Sequence, residues 1–264
     1  MWIEIDGART LVAEAAPFDP ARPSLVWLHG AGMDRTVWTL TARDRRLAGW
    51  NSFVPDLPGH GASGGAVPRS IAASAGRVLR LLDTLGLGRA VLAGHSMGAA
   101  IALEAAAQAP GRLTALVLLG AAPALPVAPA LLAAAADDPA LAAELMSRWA
   151  IGRARHLASP ATPGVPLREA ARRLLLNARP GVLAADLKAC ATWPGPRLAG
   201  SVPPTLVLAG AADRMTPPRQ GEALAALLPG ARFCLLASAG HLMMLEDPEA
   251  VLAALVPFLA ALSR

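Results

Sequence analysis

Two pentapeptides in this 264-residue chain fit Gly-x-Ser-x-Gly, a pattern that can present a serine hydroxyl as a nucleophile. They are Gly61-Ala62-Ser63-Gly64-Gly65 and Gly94-His95-Ser96-Met97-Gly98. The chemistry requires a strand, a sharp strained turn carrying the serine, then a helix. Glycines flank the serine because the adjoining backbones pass close together. Ser96 follows the apolar run Ala90-Val91-Leu92-Ala93 and precedes the Ala-rich stretch 99–107, a strong helix former. Ser63 follows Pro58-Gly59-His60-Gly61-Ala62, which is loop composition, so it is expected to be a turn serine. Ser96 is the expected nucleophile.

A serine hydroxyl is weak near neutral pH. It needs a base, usually His, and an acid that fixes the tautomer of that base. His241 lies in Ala239-Gly240-His241-Leu242, just past the apolar run Arg232–Leu236. Asp213 lies in Gly210-Ala211-Ala212-Asp213, just past the run Thr205–Ala209. Both positions fall where strands of an open sheet end, and such sheets build their sites there. His241 is the expected base and Asp213 the expected acid. His156 is expected to be structural, and Glu246 and Asp247 to begin the final helix at Pro248. Acyl transfer also develops an oxyanion that needs preorganised N–H donors. The backbone N–H groups of Met97, at a helix start, and Ala31, in His29-Gly30-Ala31-Gly32, are the expected pair. His29 is expected mainly to brace that loop. His29, Trp149, Trp193 and Leu242 are carried as candidate substrate contacts.

Positioning these groups takes alternating strands and helices. Apolar runs at Ser24–Leu28, Ser52–Pro55, Ala90–Ala93, Ala115–Leu119, Thr205–Ala209 and Arg232–Leu236 read as strands buried on both faces. A hairpin of Trp2–Ile5 and Thr10–Ala15 around Asp6-Gly7 precedes them. Helices are expected near 36–48, 70–85, 97–108, 219–228 and 248–262. The pattern implies an α/β fold with a mostly parallel eight-stranded sheet and helices on both faces. Residues 122–197 break the rhythm with helical stretches near 128–136, 139–150, 166–178 and 180–190. They read as a helical lid inserted after the sixth strand, dividing a core of 1–121 and 198–264.

Composition sets the remaining bounds. Hydrophobic residues make up 54% and charged residues 16%, which excludes disorder. The net charge is +5, but the arginines are scattered without interleaved aromatics, so no nucleic-acid partner is expected. The uncharged stretch 113–136 is interrupted by Pro123, Pro126 and Pro129, which argues against a membrane span. Cys190 and Cys234 are expected to be free thiols. The N-terminus carries no signal-peptide pattern, so a cytoplasmic location is expected.

Taken together, His29-Gly30-Ala31-Gly32, Asp56-Leu57-Pro58-Gly59-His60-Gly61-Ala62-Ser63, Gly94-His95-Ser96-Met97-Gly98, Gly210-Ala211-Ala212-Asp213 and Gly240-His241 resemble the lid-bearing α/β-hydrolase superfamily. The similar branch holds small esterases, lactonases, cofactor-free haloperoxidases and carbon–carbon bond hydrolases. The resemblance implies Ser96, Asp213 and His241 as triad, the Ala31 and Met97 backbones as oxyanion hole, and structural roles for Asp56 and His60. It implies no metal or cofactor. Branches with Asp in place of Ser96, the dehalogenases and epoxide hydrolases, are thereby set aside. The lid matches no pattern. Its apolar composition points to a small-molecule ester, thioester or lactone that is uncharged and moderately hydrophobic. Diketone hydrolysis, perhydrolase or lyase chemistry, and a non-catalytic binding protein are the alternatives.

Overall fold

A computed structural model describes residues 1–158, 161–197 and 202–262. The apolar runs become eight strands: β1 (Trp2–Ile5), β2 (Ala8–Glu14), β3 (Ser24–Leu28), β4 (Asn51–Pro55), β5 (Ala90–His95), β6 (Leu113–Leu119), β7 (Thr205–Gly210) and β8 (Arg232–Leu236). They form one sheet in the order β1-β2-β4-β3-β5-β6-β7-β8. β2 runs antiparallel to β1 and β4, and every pairing from β4 through β8 is parallel. Asp6 and Gly7 both take positive φ (50° and 74°), the backbone a two-residue hairpin turn demands.

Every residue of β3, β4, β5 and β7 is buried, as expected for parallel strands covered on both faces. β8 departs from the expectation. It closes the sheet, so Arg232, Phe233 and Leu235 are exposed. Its apolar run marks a strand but not the edge position.

Parallel neighbours need crossovers, and helices supply them. α1 (Ile71–Thr84) starts at Ser70, whose side chain accepts from Ala73 N–H. α2 (Met97–Gln108) packs on β3, β5 and β6 as well as on α1. Its Gly and Ala residues allow that close approach. The expected helix at 36–48 is instead two short 3-10 turns, Arg35–Trp38 and Arg45–Leu47. Asp34 and Asp44 each accept an N–H two residues on, which favours a tight turn over a continuing helix.

Between β6 and β7 the described residues form four α-helices, α3 (Pro129–Asp137), α4 (Pro139–Ala150), α5 (Leu167–Leu176) and α6 (Val182–Ala191), and a short 3-10 turn at Arg153–Arg155. No strand element interrupts them among the described residues. α4 packs on α3 and α5, and α3 packs on α6. The boundary expected at 197/198 abuts residues 198–201, which lie outside the described residues, as do 263 and 264. α7 (Pro218–Leu227) follows β7. α8 (Met243–Glu246) and α9 (Pro248–Leu262) end the chain, and α7 and α9 pack on the last strands. No described helix is long and apolar enough to cross a membrane.

Candidate active site

The turn between β5 and α2 is an elbow. Ser96 sits at its tip with φ 53° and ψ −113°, a conformation non-glycine residues rarely hold. The strain is held in place by Ser96 N–H donating to Leu119 O (2.9 Å) and by Ala99 N–H donating to Ser96 O (2.9 Å). The flanking glycines are required by contact. A Cβ on Gly94 would lie 2.2 Å from Gly98 O, and one on Gly98 would lie 2.3 Å from Leu28 O. Met97 opens α2, where the leading N–H groups of a helix lack intrahelical acceptors. The other motif serine differs. Ser63 is fully buried, donates to Asp56 O (2.8 Å) and accepts from Leu11 N–H (2.9 Å).

Asp213 and His241, from the loops after β7 and β8, meet in a buried hydrogen bond. His241 Nδ1 lies 2.8 Å from Asp213 Oδ2. Asp213 Oδ1 accepts from the N–H groups of Met215 (2.8 Å) and Thr216 (2.9 Å), and Thr216 Oγ1 donates to Asp213 Oδ2 (2.8 Å). With Nδ1 donating to the carboxylate, Nε2 is left as the basic nitrogen. Ser96 and His241 line one cavity but form no direct hydrogen bond. Such contacts commonly tighten only with substrate bound.

Sequence reasoning misses the groups that hold His241 in place. Its N–H donates to Ala150 O in α4 (2.7 Å), and its carbonyl accepts from His95 Nε2 (3.0 Å). Burial, then the adjacent His241, hold His95 well below the ordinary imidazole range. A neutral His95 places no positive charge beside the His241 ring. Glu246, expected to begin the last helix, is fully buried. Its Oε2 accepts from Gly152 N–H (2.8 Å) and Gly240 N–H (2.9 Å), joining the end of α4 to the histidine loop. Burial pushes its carboxyl up from the usual range. Asp247 caps α9 through Ala250 N–H (3.1 Å). Gly120, at φ 57°, makes room for the histidine, since a Cβ there would lie 2.9 Å from His241 Nδ1.

The Ala31 loop is held from α6. Asp186 Oδ2, in a 2% exposed residue, accepts from Gly32 N–H (2.8 Å) and pairs with His60 Nε2 (2.7 Å). His60 titrates above its ordinary range. Burial lowers it, but the hydrogen bond and charge of Asp186 outweigh that effect. A raised folded-state value means the stabilisation is fully present below the unfolded value, about pH 6.5. It is lost as pH rises through the higher folded value. Thermal melts of wild type and His60→Gln should therefore differ most below about pH 6.5, and the gap should narrow as pH rises above it. A gap that does not change with pH contradicts the pairing.

A cavity of about 270 Å³ connects these elements. Ser96, Ala31, Thr216 and His241 line it, with Leu125, Met146, Leu175 and Leu187 among its apolar walls. Of the four candidate substrate contacts, Leu242 lines the cavity and the other three do not. His29 is fully buried, donates from Nδ1 to Gly30 O (2.9 Å) and accepts at Nε2 from Leu57 N–H (3.0 Å), so both ring nitrogens serve the loop. Trp193 is buried with Nε1 3.4 Å from Glu104 Oε2, and half-buried Trp149 packs against the core. His156 bonds to Ile151 O (3.1 Å). Cys190 also lines the cavity, but burial and then Asp186 push its thiol up, which disfavours the thiolate. Among the described residues no cluster of three or more His, Cys, Asp or Glu could hold a metal.

A family model described as the alpha/beta hydrolase family matches residues 25–254. The chain belongs to that family and is an esterase-like enzyme within it. It is 32% identical over 244 residues to a pimeloyl-[acyl-carrier protein] methyl ester esterase of Aromatoleum aromaticum, covering 86% of this chain and 94% of the relative. A thermophilic esterase from Thermogutta terrifontis superposes with a TM-score of 0.84 at 27% identity, covering 100% of this chain and 97% of that one. An enol-lactonase from Burkholderia xenovorans shares the fold, with a TM-score of 0.85 at 23% identity over 98% of this chain and 100% of that one.

Proposed function

We propose that this chain is a serine hydrolase that cleaves an ester, thioester or lactone through an acyl-enzyme. The observation that carries the reading is the buried Asp213–His241 hydrogen bond beside a cavity that also exposes Ser96 on its elbow. Ser96 Oγ attacks the carbonyl carbon as His241 Nε2 takes its proton. The backbone N–H groups of Ala31 and Met97 stabilise the oxyanion. His241 then protonates the leaving group, and water repeats the cycle on the acyl-enzyme. Asp213 stabilises the imidazolium formed in each half. Residues 122–197 act as the lid, since α4, α5 and α6 wall the cavity. The esterase relatives favour ester cleavage over carbon–carbon cleavage.

A fluorophosphonate probe tests the nucleophile. Wild type labels at one serine, and Ser96→Ala abolishes labelling in a protein that still melts cooperatively. Ser63→Ala keeps the label but loses about 1–2 kcal/mol of stability, because Leu11 N–H and Asp56 O lose their partner. Labelling that follows Ser63 would overturn the assignment. A panel of p-nitrophenyl esters, lactones and diketones then ranks the bond types.

A further inference from the structure

The cavity wall holds few polar side chains, and most are already engaged. Thr216 Oγ1 bonds Asp213, and Ser147 Oγ donates to Glu144 O (3.0 Å). Ser96 and His241 are the reacting pair. Two adjacent residues at the start of α7 remain, Arg219 and Gln220. Both line the cavity, and neither side chain has a hydrogen-bond or ion-pair partner among the described residues. Arg219 is exposed, which puts it at the mouth, and it is the single arginine among the lining residues. Several surface arginines are paired, Arg46 with Glu249, Arg77 with Asp6 and Arg172 with Glu169, and what sets Arg219 apart is that it lines the cavity. The segment from Asp213 to Gln220 thus carries the acid of the triad at one end and an uncommitted guanidinium and amide at the other.

We propose that Arg219 and Gln220 form an anion subsite at the cavity mouth, which takes a carboxylate or phosphate-type group on the non-reacting end of an otherwise apolar substrate. A guanidinium offers a planar fork of donors matched to either oxyanion, and the Gln220 amide adds another. The rest of the wall is apolar and suits a short aliphatic chain. The substrate is therefore amphiphilic, which revises the uncharged molecule expected from the composition of the lid. The inference rests on the esterase reading above.

The test compares esters of matched length: p-nitrophenyl heptanoate, its ω-carboxylate counterpart p-nitrophenyl hydrogen adipate, and an ω-phosphonate analogue. Wild type should favour an anionic ester over heptanoate by about tenfold in kcat/KM, mainly through KM, as suits a charge-assisted bond at a rim. The preference should shrink in 0.5 M NaCl (about a 4 Å Debye length). Which anionic ester leads tells carboxylate from phosphate. Arg219→Gln should bring the ratio close to one, whereas Arg232→Gln, an exposed arginine on β8, should leave it intact. Equal kcat/KM in wild type, or a ratio that survives Arg219→Gln, overturns the subsite. Turnover of heptanoate without preference sinks the subsite alone. Absence of both turnover and fluorophosphonate labelling sinks the esterase reading. In that case hexanoate and hexanamide still decide the subsite by thermal shift: hexanoate alone should raise Tm, and Arg219→Gln should remove the rise. Equal shifts for the two, or a rise retained in Arg219→Gln, overturn it.

Discussion

Replacing His241 with Ala lowers kcat on an activated ester by about 10⁴-fold or more, and adding Ser96→Ala to that variant costs little further. The two residues act as one unit. Without the imidazole, Ser96 keeps its proton near neutral pH and attacks poorly. Without the hydroxyl, the imidazole has nothing to activate. Both single variants should retain a small rate from the oxyanion donors and from binding, so the double variant should sit on the same floor. The buried Asp213 makes the measurement informative, because its carboxylate accepts from Met215, Thr216 and His241 and keeps the ring in a single tautomer. Steady-state kinetics on the two single variants and the double variant give the cycle. Fully additive losses would mean that Ser96 and His241 act independently, and the triad reading would fall.

The second large effect is on folding. Gly98→Ala should destabilise the protein by about 3 kcal/mol or more, lowering Tm by roughly 6–12 °C. The added methyl would lie 2.3 Å from Leu28 O and 2.7 Å from His29 O. These are backbone atoms of a central strand and of the loop behind it, and no side chain can swing away to relieve the contact. The cost therefore falls on the elbow, on β3 and on the Ala31 loop together, and fluorophosphonate labelling should fall with Tm. Gly88→Ala is the matched control. A Cβ there meets nothing within 4 Å, so Tm should move by no more than about 0.5 kcal/mol equivalent. A Gly98→Ala protein that melts like wild type would show that α2 can move away from β3, contrary to the packing described.

How legible each element was in the residues follows from how far its cause lies along the chain. Trp2–Ile5, Ser24–Leu28 and Arg232–Leu236 are strands at the expected bounds because a short apolar run is a local signal. The span 36–48 was not legible as two turns, since Asp34 and Asp44 redirect backbone hydrogen bonds that periodicity ignores. The exposure of Phe233 and Leu235 follows from β8 standing last in the sheet, and no pattern inside β8 reports strand order. In the site, Ser96, Asp213 and His241 were nameable because each follows a strand and their order matches a known arrangement. Trp149 and Trp193 are candidate contacts because they lie in the apolar lid, yet both pack against the core and neither lines the cavity.

The residues alone determine the proposed machinery in outline: a strained serine after one strand, an acid and a histidine after two later ones, and a glycine loop ahead of them all. Each is written into a few consecutive positions whose backbone chemistry is local. The tertiary structure decides what holds and completes that machinery. Asp186 meets Gly32 across 154 positions, Glu246 joins Gly152 to Gly240, Gly120 clears space for His241, and Arg219 opens onto a cavity walled in part by α4, α5 and α6. Those partnerships depend on which surfaces the sheet brings together. A hydrogen bond or a cavity wall is specified by distance in space, and distance along the chain does not encode it.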